Sequence, residues 1–135
     1  MKLIKKITLF LLLFSMLVSC TAQTTKPITH DPVVAKQGDV YYLFCTGPGI
    51  TTFTSKDLKT WIQGEPVFSD SLKWAVNVAD GFNGHIWAPD ITLHNGTYYL
   101  YYSVSDFGKN TSAIGLVTNK TLNPNDENFK WEDQG

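Results

Sequence analysis

The sequence predicts an all-β chain built from repeated sheets. From Pro27 onward, short segments rich in β-branched and aromatic residues alternate with clusters of Gly, Pro, Asn and Asp, which is the pattern of strands and turns. No segment has a long helical period. Two stretches of the chain also resemble each other over several strands, and a repeat of this size is typical of propeller blades.

Six strands are predicted from these patterns, at residues 32–36, 40–46, 51–55, 91–93, 97–104 and 112–118. Between the two groups of strands, residues 64–84 are expected to form a long loop with one turn of helix near residues 72–76. Loops of this length in a compact domain often line a functional site. The sequence therefore predicts two sheets joined by a functional connection.

The internal repeat is aligned on Asp31 and Asp90. Each copy has a carboxylate, a short strand, a glycine turn, an aromatic strand and a third strand. The offset between the turn glycines, Gly38 and Gly96, is 96 − 38 = 58, and the offset between the third strands is 118 − 54 = 64. Propellers close with about four to eight blades around a channel. We therefore expect about two blades here, with the chain ending inside the fold.

The first residues predict export. Residues 1–19 carry three lysines and then an apolar run from Ile7 to Val18, too short to be a typical membrane-spanning helix. The residues before Cys20 resemble a bacterial lipoprotein signal. We expect a lipid on Cys20, a polar tether over residues 20–27, and attachment to the cell envelope only through this lipid. The alternative is a plain signal peptide that is cut near Ala22.

Charge and composition argue against nucleic acid as a partner and favour a neutral substrate. All 11 basic residues are lysines, so no arginine can clamp a phosphate, and nucleic acid is not an expected partner. Without residues 1–19 the chain has 11 − 3 = 8 lysines against 12 acidic residues, a net charge of 8 − 12 = −4. This balance suits a neutral substrate. Cys45, inside a predicted strand, is expected to be a buried and inert thiol.

Asp31 and Asp90 are the candidate site residues. Both start the first strand of a repeat, which would line the channel of a propeller, and a proline beside each one restricts the backbone. The alternative is that both carboxylates satisfy backbone N–H groups in turns. The residues alone leave both roles open for Asp31 and favour the turn role for Asp90.

A set of motifs around these residues resembles glycoside hydrolase family 43, in particular its arabinanases. The motifs are His30-Asp31-Pro32, Gly47-Pro48-Gly49-Ile50, Thr54-Ser55-Lys56-Asp57-Leu58 with Trp61, residues 85–91, and residues 98–115 with Ser105-Asp106-Phe107-Gly108. Their order and spacing extend over residues 28–135. The resemblance implies a five-bladed β-propeller catalytic domain, of which this chain holds about the first two blades. It also implies inverting hydrolysis of α-1,5-linked L-arabinan.

The resemblance implies roles for single residues. Asp31 matches the general base that activates water, whereas the family's acid Glu and tuning Asp lie in later blades, so these 135 residues alone are expected to be inactive. The residues expected to contact arabinan or an arabino-oligosaccharide are His30, Trp87, Asp90, Phe107 and Gly108. No metal ligand is expected in this chain, although the resemblance allows a calcium ion in the full-length enzyme.

Two other functions stay open at this point. One is a non-catalytic, glycan-binding propeller lipoprotein that keeps the aromatic contacts. The other is a family 43 xylosidase or arabinofuranosidase. The aromatic residues also have a structural alternative, because such side chains often pack between blades. His94 precedes Asn95-Gly96, a sequence typical of a tight hairpin turn, and is expected to be solvated.

Overall fold

The computed structural model describes residues 23–135, so the predicted signal peptide and Cys20 lie outside the described residues. In chain order the strands are β1 (Gln23–Thr24), β2 (Val33–Gln37), β3 (Val40–Cys45), β4 (Gly47–Pro48), β5 (Thr51–Ser55), β6 (Trp61–Gln63), β7 (His85–His94), β8 (Thr97–Ser105), β9 (Ser112–Asn119) and β10 (Glu132–Asp133). Residues 23–135 contain no helix with the length and hydropathy needed to cross a bilayer.

The strands form two antiparallel sheets. The first has the order β1-β6-β5-β3-β2 and the second has the order β10-β9-β8-β7-β4. In each sheet the main strands follow one another in chain order, which is the arrangement of a propeller blade. The prediction of an all-β chain with two blades is therefore confirmed.

The six predicted strands are present, but one of them is much longer than predicted. β7 runs from His85 to His94, whereas the sequence predicted only residues 91–93. The predicted strand began only after Pro89, because proline is normally confined to strand edges and bulges. Here the register of β7 against β8 shifts between Trp87 and Asp90, and this bulge accommodates the proline.

Four short strands escaped prediction because two or three residues are too few for a periodic pattern. β6 pairs with β5, β4 pairs with β7, and β10 pairs with β9. β1 pairs with β6 through Gln23 and Thr24. Part of the stretch predicted as a polar tether therefore joins the first sheet.

The connection between the sheets fills the space between them. It contains one short 3₁₀ helix, Ala75–Asn77, close to the predicted helical turn. Its buried side chains are Val67, Leu72, Ala75, Ala79 and Phe82. These pack in one core with aromatic and aliphatic residues of β3 and β8, including Phe44 and Leu100. The connection therefore supports the site by packing, besides contributing a few residues to its wall.

Gly49 anchors this connection to the first sheet. The Gly49 N–H donates a hydrogen bond to the Gly84 carbonyl, and the Phe68 N–H donates to the Gly49 carbonyl, each at 2.9 Å. The Val67 N–H donates to the Ile50 carbonyl at 3.2 Å. Gly49 has a φ of +60°, and a Cβ atom there would overlap the Phe68 carbonyl oxygen. The position therefore requires glycine for two separate reasons.

Gln37 fastens β2 to the second sheet at the end far from Asp31. Its Oε1 accepts a hydrogen bond from the Leu122 N–H, and its Nε2 donates to Thr121 Oγ1 at 3.0 Å. Thr121 and Leu122 closely follow β9. One side chain of the first sheet thus holds the backbone of the second.

The hairpin loops fix the register of the repeat. Gln37 pairs with Val40 across the first loop, and His94 pairs with Thr97 across the second, so each loop has the same length. Equivalent positions in the first two strands of each sheet therefore have a constant offset of 94 − 37 = 57, without a gap. The offset predicted for the third strands is confirmed, because Ser55 and Asn119 pair with equivalent tyrosines.

This register corrects the alignment of the two carboxylates. Asp90 corresponds to Val33 (90 − 33 = 57), and the counterpart of Asp31 is Ala88 (88 − 31 = 57). The prediction that Asp90 is the second-blade counterpart of Asp31 is wrong, because that pairing has an offset of 90 − 31 = 59 and the matched glycines have an offset of 58, whereas the paired strands have an offset of 57. The prolines that follow Asp31 and Ala88 have the same offset (89 − 32 = 57), and they carried the correct register.

Candidate functional site

Asp31 lies just before β2, at the end of the first sheet. Its φ is +48°, a left-handed conformation that Asp adopts more readily than most residues. The Thr46 N–H donates a hydrogen bond to the His30 carbonyl at 3.0 Å and fastens this segment to the end of β3. The Asp31 side chain remains 41% exposed. A carboxylate is thus held in place at an accessible position.

One oxygen of the Asp31 carboxylate takes both of its hydrogen bonds. The Thr46 hydroxyl donates to Asp31 Oδ2 at 2.8 Å, and His30 Nδ1 lies 2.8 Å from the same oxygen. His30 Nδ1 is a donor when it carries the proton. Within residues 23–135, no donor contacts Oδ1. The two oxygens of Asp31 are therefore not equivalent, and Oδ1 is available to a further partner.

These contacts lower the pKa of Asp31 below its ordinary value. The hydrogen bond with His30 is the largest cause and the hydrogen bond from Thr46 is the second, since both stabilise the charged form. Slight desolvation opposes them. The carboxylate therefore stays ionised to lower pH than an ordinary Asp, and an ionised carboxylate is what a general base requires.

An aromatic shelf, formed by Trp87 and Phe107, lies on the second sheet. The two rings stack with centroids 6.0 Å apart and planes 23° apart. His85 packs against Trp87, with the two ring centroids 4.4 Å apart. Phe107 is 85% exposed. An exposed aromatic side chain stacked on a half-buried one, next to polar groups, is typical of a binding surface.

The shelf borders a groove of about 320 Å³. The groove is also lined by Gly81, Asn83, His85, Ser105 and Asp106. Asp106 forms an ion pair with Lys109 and packs so closely on Gly81 that a Cβ there would overlap its carboxylate. These contacts hold the β8–β9 loop, which carries Phe107, against the connection. Gly108 lies in the same loop with a φ of +79°, so a turn explains this glycine, and its contact with substrate stays a prediction.

Thr46 links the two halves of the site. Its Oγ1 accepts a hydrogen bond from the Ala88 N–H at 2.8 Å, and its hydroxyl donates a hydrogen bond to Asp31. Ala88 directly follows Trp87 of the shelf. The sequence did not indicate Thr46, because both partners are distant in the chain and no local motif joins them. His30 and Trp87 occupy equivalent repeat positions (87 − 30 = 57), so the site pairs matching points of both blades.

Asp90 does not join this cluster by hydrogen bonding. It is exposed on β7, where it pairs with Tyr101 of β8. Within the part of the chain that the structure describes, its carboxylate makes no hydrogen bond. Its predicted contact with substrate therefore stays a prediction.

The described residues supply neither a metal cluster nor an activated cysteine. No three His, Cys, Asp or Glu side chains of residues 23–135 lie close enough together to hold a metal ion, so these residues alone do not fit a calcium site. Cys45 is buried, as predicted, and burial raises the pKa of its thiol. His94 is exposed beside its hairpin turn, also as predicted.

The chain is similar to known proteins. The model for the glycosyl hydrolases family 43 matches residues 24–135. The extracellular exo-alpha-(1->5)-L-arabinofuranosidase ArbA of Cellvibrio japonicus is 56% identical over 106 residues, which are 78% of this chain and 30% of that protein. The extracellular endo-alpha-(1->5)-L-arabinanase 1 of Bacillus subtilis is 38% identical over 112 residues, 80% of this chain and 33% of that protein.

A solved structure gives the same result. The alpha-L-arabinanase of Cellvibrio cellulosa, complexed with arabinohexaose, superposes with a TM-score of 0.78 at 53% identity. The match covers 82% of this chain and 35% of that one. The chain therefore spans about a third of the length of the relatives that it matches.

Proposed function

Because the chain belongs to the glycosyl hydrolases family 43, we propose that its protein hydrolyses α-1,5-linked L-arabinan with inversion, using Asp31 as the general base. The observation that carries this proposal is the Asp31 carboxylate itself. It is accessible, ionised, and linked through Thr46 to the strand that bears the aromatic shelf. Two relatives, named an exo-alpha-(1->5)-L-arabinofuranosidase and an endo-alpha-(1->5)-L-arabinanase, support the choice of substrate.

The proposed reaction uses Asp31 Oδ1 as the proton acceptor. A water molecule bound to Oδ1 gives its proton to the carboxylate and attacks the anomeric carbon, while an acid protonates the leaving oxygen on the other side. The two carboxyl groups of an inverting pair are about 6.5 to 9.5 Å apart, which leaves room for this water. We assign the acid and the tuning carboxylate to later blades of the whole protein, so the 135 residues alone should not turn over substrate.

The aromatic shelf is proposed to bind the sugar chain. The faces of Trp87 and Phe107 offer apolar surface for the C–H faces of arabinose units, and the nearby polar side chains offer partners for hydroxyl groups. The complex of a related arabinanase with arabinohexaose supports a substrate of this length. We propose that the protein works outside the cytoplasm, anchored through a lipid on Cys20, and the word extracellular in two relatives' names supports export.

The proposed activity is tested with the complete protein on three substrates: linear α-1,5-arabinan, an aryl α-L-arabinofuranoside and an aryl β-D-xyloside. We expect fastest turnover of arabinan, with the inverted anomer appearing first in proton NMR spectra taken early in the reaction. Preference for the xyloside would overturn the substrate assignment. First release of the retained anomer would overturn the mechanism.

Truncation of the shelf should weaken binding without affecting the fold. Phe107→Ala is expected to raise the Kd for arabinohexaose about 5- to 10-fold, since stacked aromatic contacts contribute about that much in binding. Because Phe107 is 85% exposed, the melting temperature should stay unchanged. Isothermal titration calorimetry measures the effect in an Asp31→Asn background, in which arabinohexaose is not cleaved during the titration. Ile114→Ala is the matched control, because Ile114 is 69% exposed on β9 and does not line the groove. Equal affinities for Phe107→Ala and Ile114→Ala would contradict the shelf as a binding surface.

A further inference from the structure

We propose that Thr46 is a positioning residue that selects Oδ1 of Asp31 as the reacting oxygen and couples it to the substrate-binding strand β7. This inference rests on the proposed role of Asp31 as the base. It concerns a residue that no sequence motif indicated and that does not itself contact the reacting atoms.

The direction of the hydrogen bonds at Thr46 is fixed by chemistry. A hydroxyl has one proton to donate and two lone pairs that accept. The backbone N–H of Ala88 can only donate, so at 2.8 Å it occupies an acceptor site of Thr46 Oγ1. The hydroxyl then donates its single proton in the hydrogen bond to Asp31 Oδ2, also at 2.8 Å. Oδ2 is therefore saturated by Thr46 together with His30, and the water must use Oδ1.

The bulge in β7 explains why the Ala88 N–H reaches Thr46. The flanking residues Trp87 and Asp90 pair with Ser103 and Tyr101 of β8, whereas Ala88 and Pro89 pair with no residue of β8. Ala88 also adopts a φ of +45°, a left-handed conformation that is costly for alanine and persists only where the surroundings hold it. The bulge thus releases one backbone donor from the sheet and directs it to Thr46 Oγ1.

This arrangement ties substrate binding to the position of the base. A sugar that contacts Trp87 lies beside the residue next to Ala88. The Ala88 N–H hydrogen-bonds Thr46, and the Thr46 hydroxyl hydrogen-bonds Asp31. The reacting carboxylate and the binding shelf therefore keep one relative position. Misplacement of a reacting group by about 1 Å can cost about 100-fold in rate, so a link of this kind affects turnover more than binding.

The titratable groups around Asp31 come from three elements. On its own segment, His30 contacts the carboxylate. At the end of β3, the Cys45 thiol donates instead to the Thr51 carbonyl. On β7, His85 packs on Trp87, and Asp90 shares no hydrogen bond with Asp31 within residues 23–135. Apart from Thr46, His30 is therefore the group in contact with Asp31 that shapes its titration.

The inference is tested with Thr46→Val, which keeps the shape of threonine and removes the hydroxyl. In the complete protein, kcat on linear arabinan should fall about 10- to 100-fold, while KM should change by no more than about twofold because the shelf is intact. The acidic limb of the kcat/KM profile should move to higher pH, because a hydrogen bond to the ionised carboxylate is lost. Thr46→Ser, which restores the hydroxyl, should recover most of kcat and the original pH limb.

Thr92→Val is the matched control, since Thr92 is exposed on β7 and its hydroxyl makes no hydrogen bond within residues 23–135. It should behave as the unchanged protein. Unaltered kcat and pH limb in a folded Thr46→Val protein, or failure of Thr46→Ser to recover them, would overturn the inference. If Thr46→Val does not fold by circular dichroism, Thr46→Ala is measured in its place with the same expected results.

The outcome separates this inference from the proposed function. If Asp31→Asn keeps full activity, Asp31 is not the base and the proposed function fails together with the role of Thr46. If Asp31→Asn is inactive while Thr46→Val is fully active, the proposed function stands and only the positioning role is overturned.

Discussion

Asp31→Asn in the complete protein should lower kcat on linear arabinan by about 10²- to 10⁴-fold, the usual contribution of a general base. The amide has nearly the size of the carboxylate and its oxygen can still accept the Thr46 hydrogen bond, but it cannot take a proton from water. Binding of arabinohexaose should remain measurable, because the aromatic shelf does not depend on this charge. Reducing-sugar release measures kcat, and calorimetry measures binding.

Asp39→Asn provides the control for this experiment. Asp39 is exposed in the β2–β3 turn, at the opposite end of β2 from Asp31, and the change removes the same charge from the same hairpin. Its kcat should match that of the unchanged protein. Should Asp31→Asn keep more than about a tenth of the original kcat, well above what loss of a general base leaves, another group must activate the water.

Gly49→Ala should lower the free energy of unfolding by about 2 to 5 kcal/mol, because the costs of a left-handed alanine and of a steric overlap add together. The φ of Gly49 is +60°, and the new Cβ would overlap the Phe68 carbonyl oxygen. Either the connection moves away or its hydrogen bonds with Gly49 stretch. Because that connection fills the core between the sheets, both sheets should lose stability. Urea denaturation of the complete protein measures it.

Gly38→Ala separates the two causes. Gly38 has nearly the same φ, +57°, but a Cβ there meets no atom within 4 Å. This control should therefore lower stability by only about 1 to 2 kcal/mol, the cost of the left-handed conformation alone. Equal losses at the two positions would show that the contact between Gly49 and Phe68 does not limit stability.

Strand identity was predictable because local chemistry determines it. β3, β5, β8 and β9 have strong β-forming residues, and Asn95-Gly96 supplies the two positive φ values that a tight hairpin needs. The register between the repeats was predictable from the prolines, Pro32 and Pro89, but not from the glycines. Glycine is the first loop residue in one hairpin and the second in the other, so matching glycines shifts the alignment.

The sequence predicts site residues only where one residue carries the chemistry. Asp31 and Trp87 stand out because a carboxylate beside proline and an aromatic residue close to glycine and proline are conspicuous in a sequence, whereas Phe107 was expected from the family resemblance. Thr46 does not stand out. Its role arises from a bulge that aims one N–H of β7 across to the first sheet, and such long-range hydrogen bonding exists only after the sheets have packed.

Thr46 and Gln37 together fasten the first sheet to the second at opposite ends, through the Ala88 and Leu122 amides. Sheets connected in this way, with the core between them, should open as one cooperative unit and not peel apart strand by strand. In native-state hydrogen exchange the amides of β3 and β8 should then share one opening free energy. Whatever loosens the first blade would displace the shelf and the base together, so the two functions of the site would be lost in a single step.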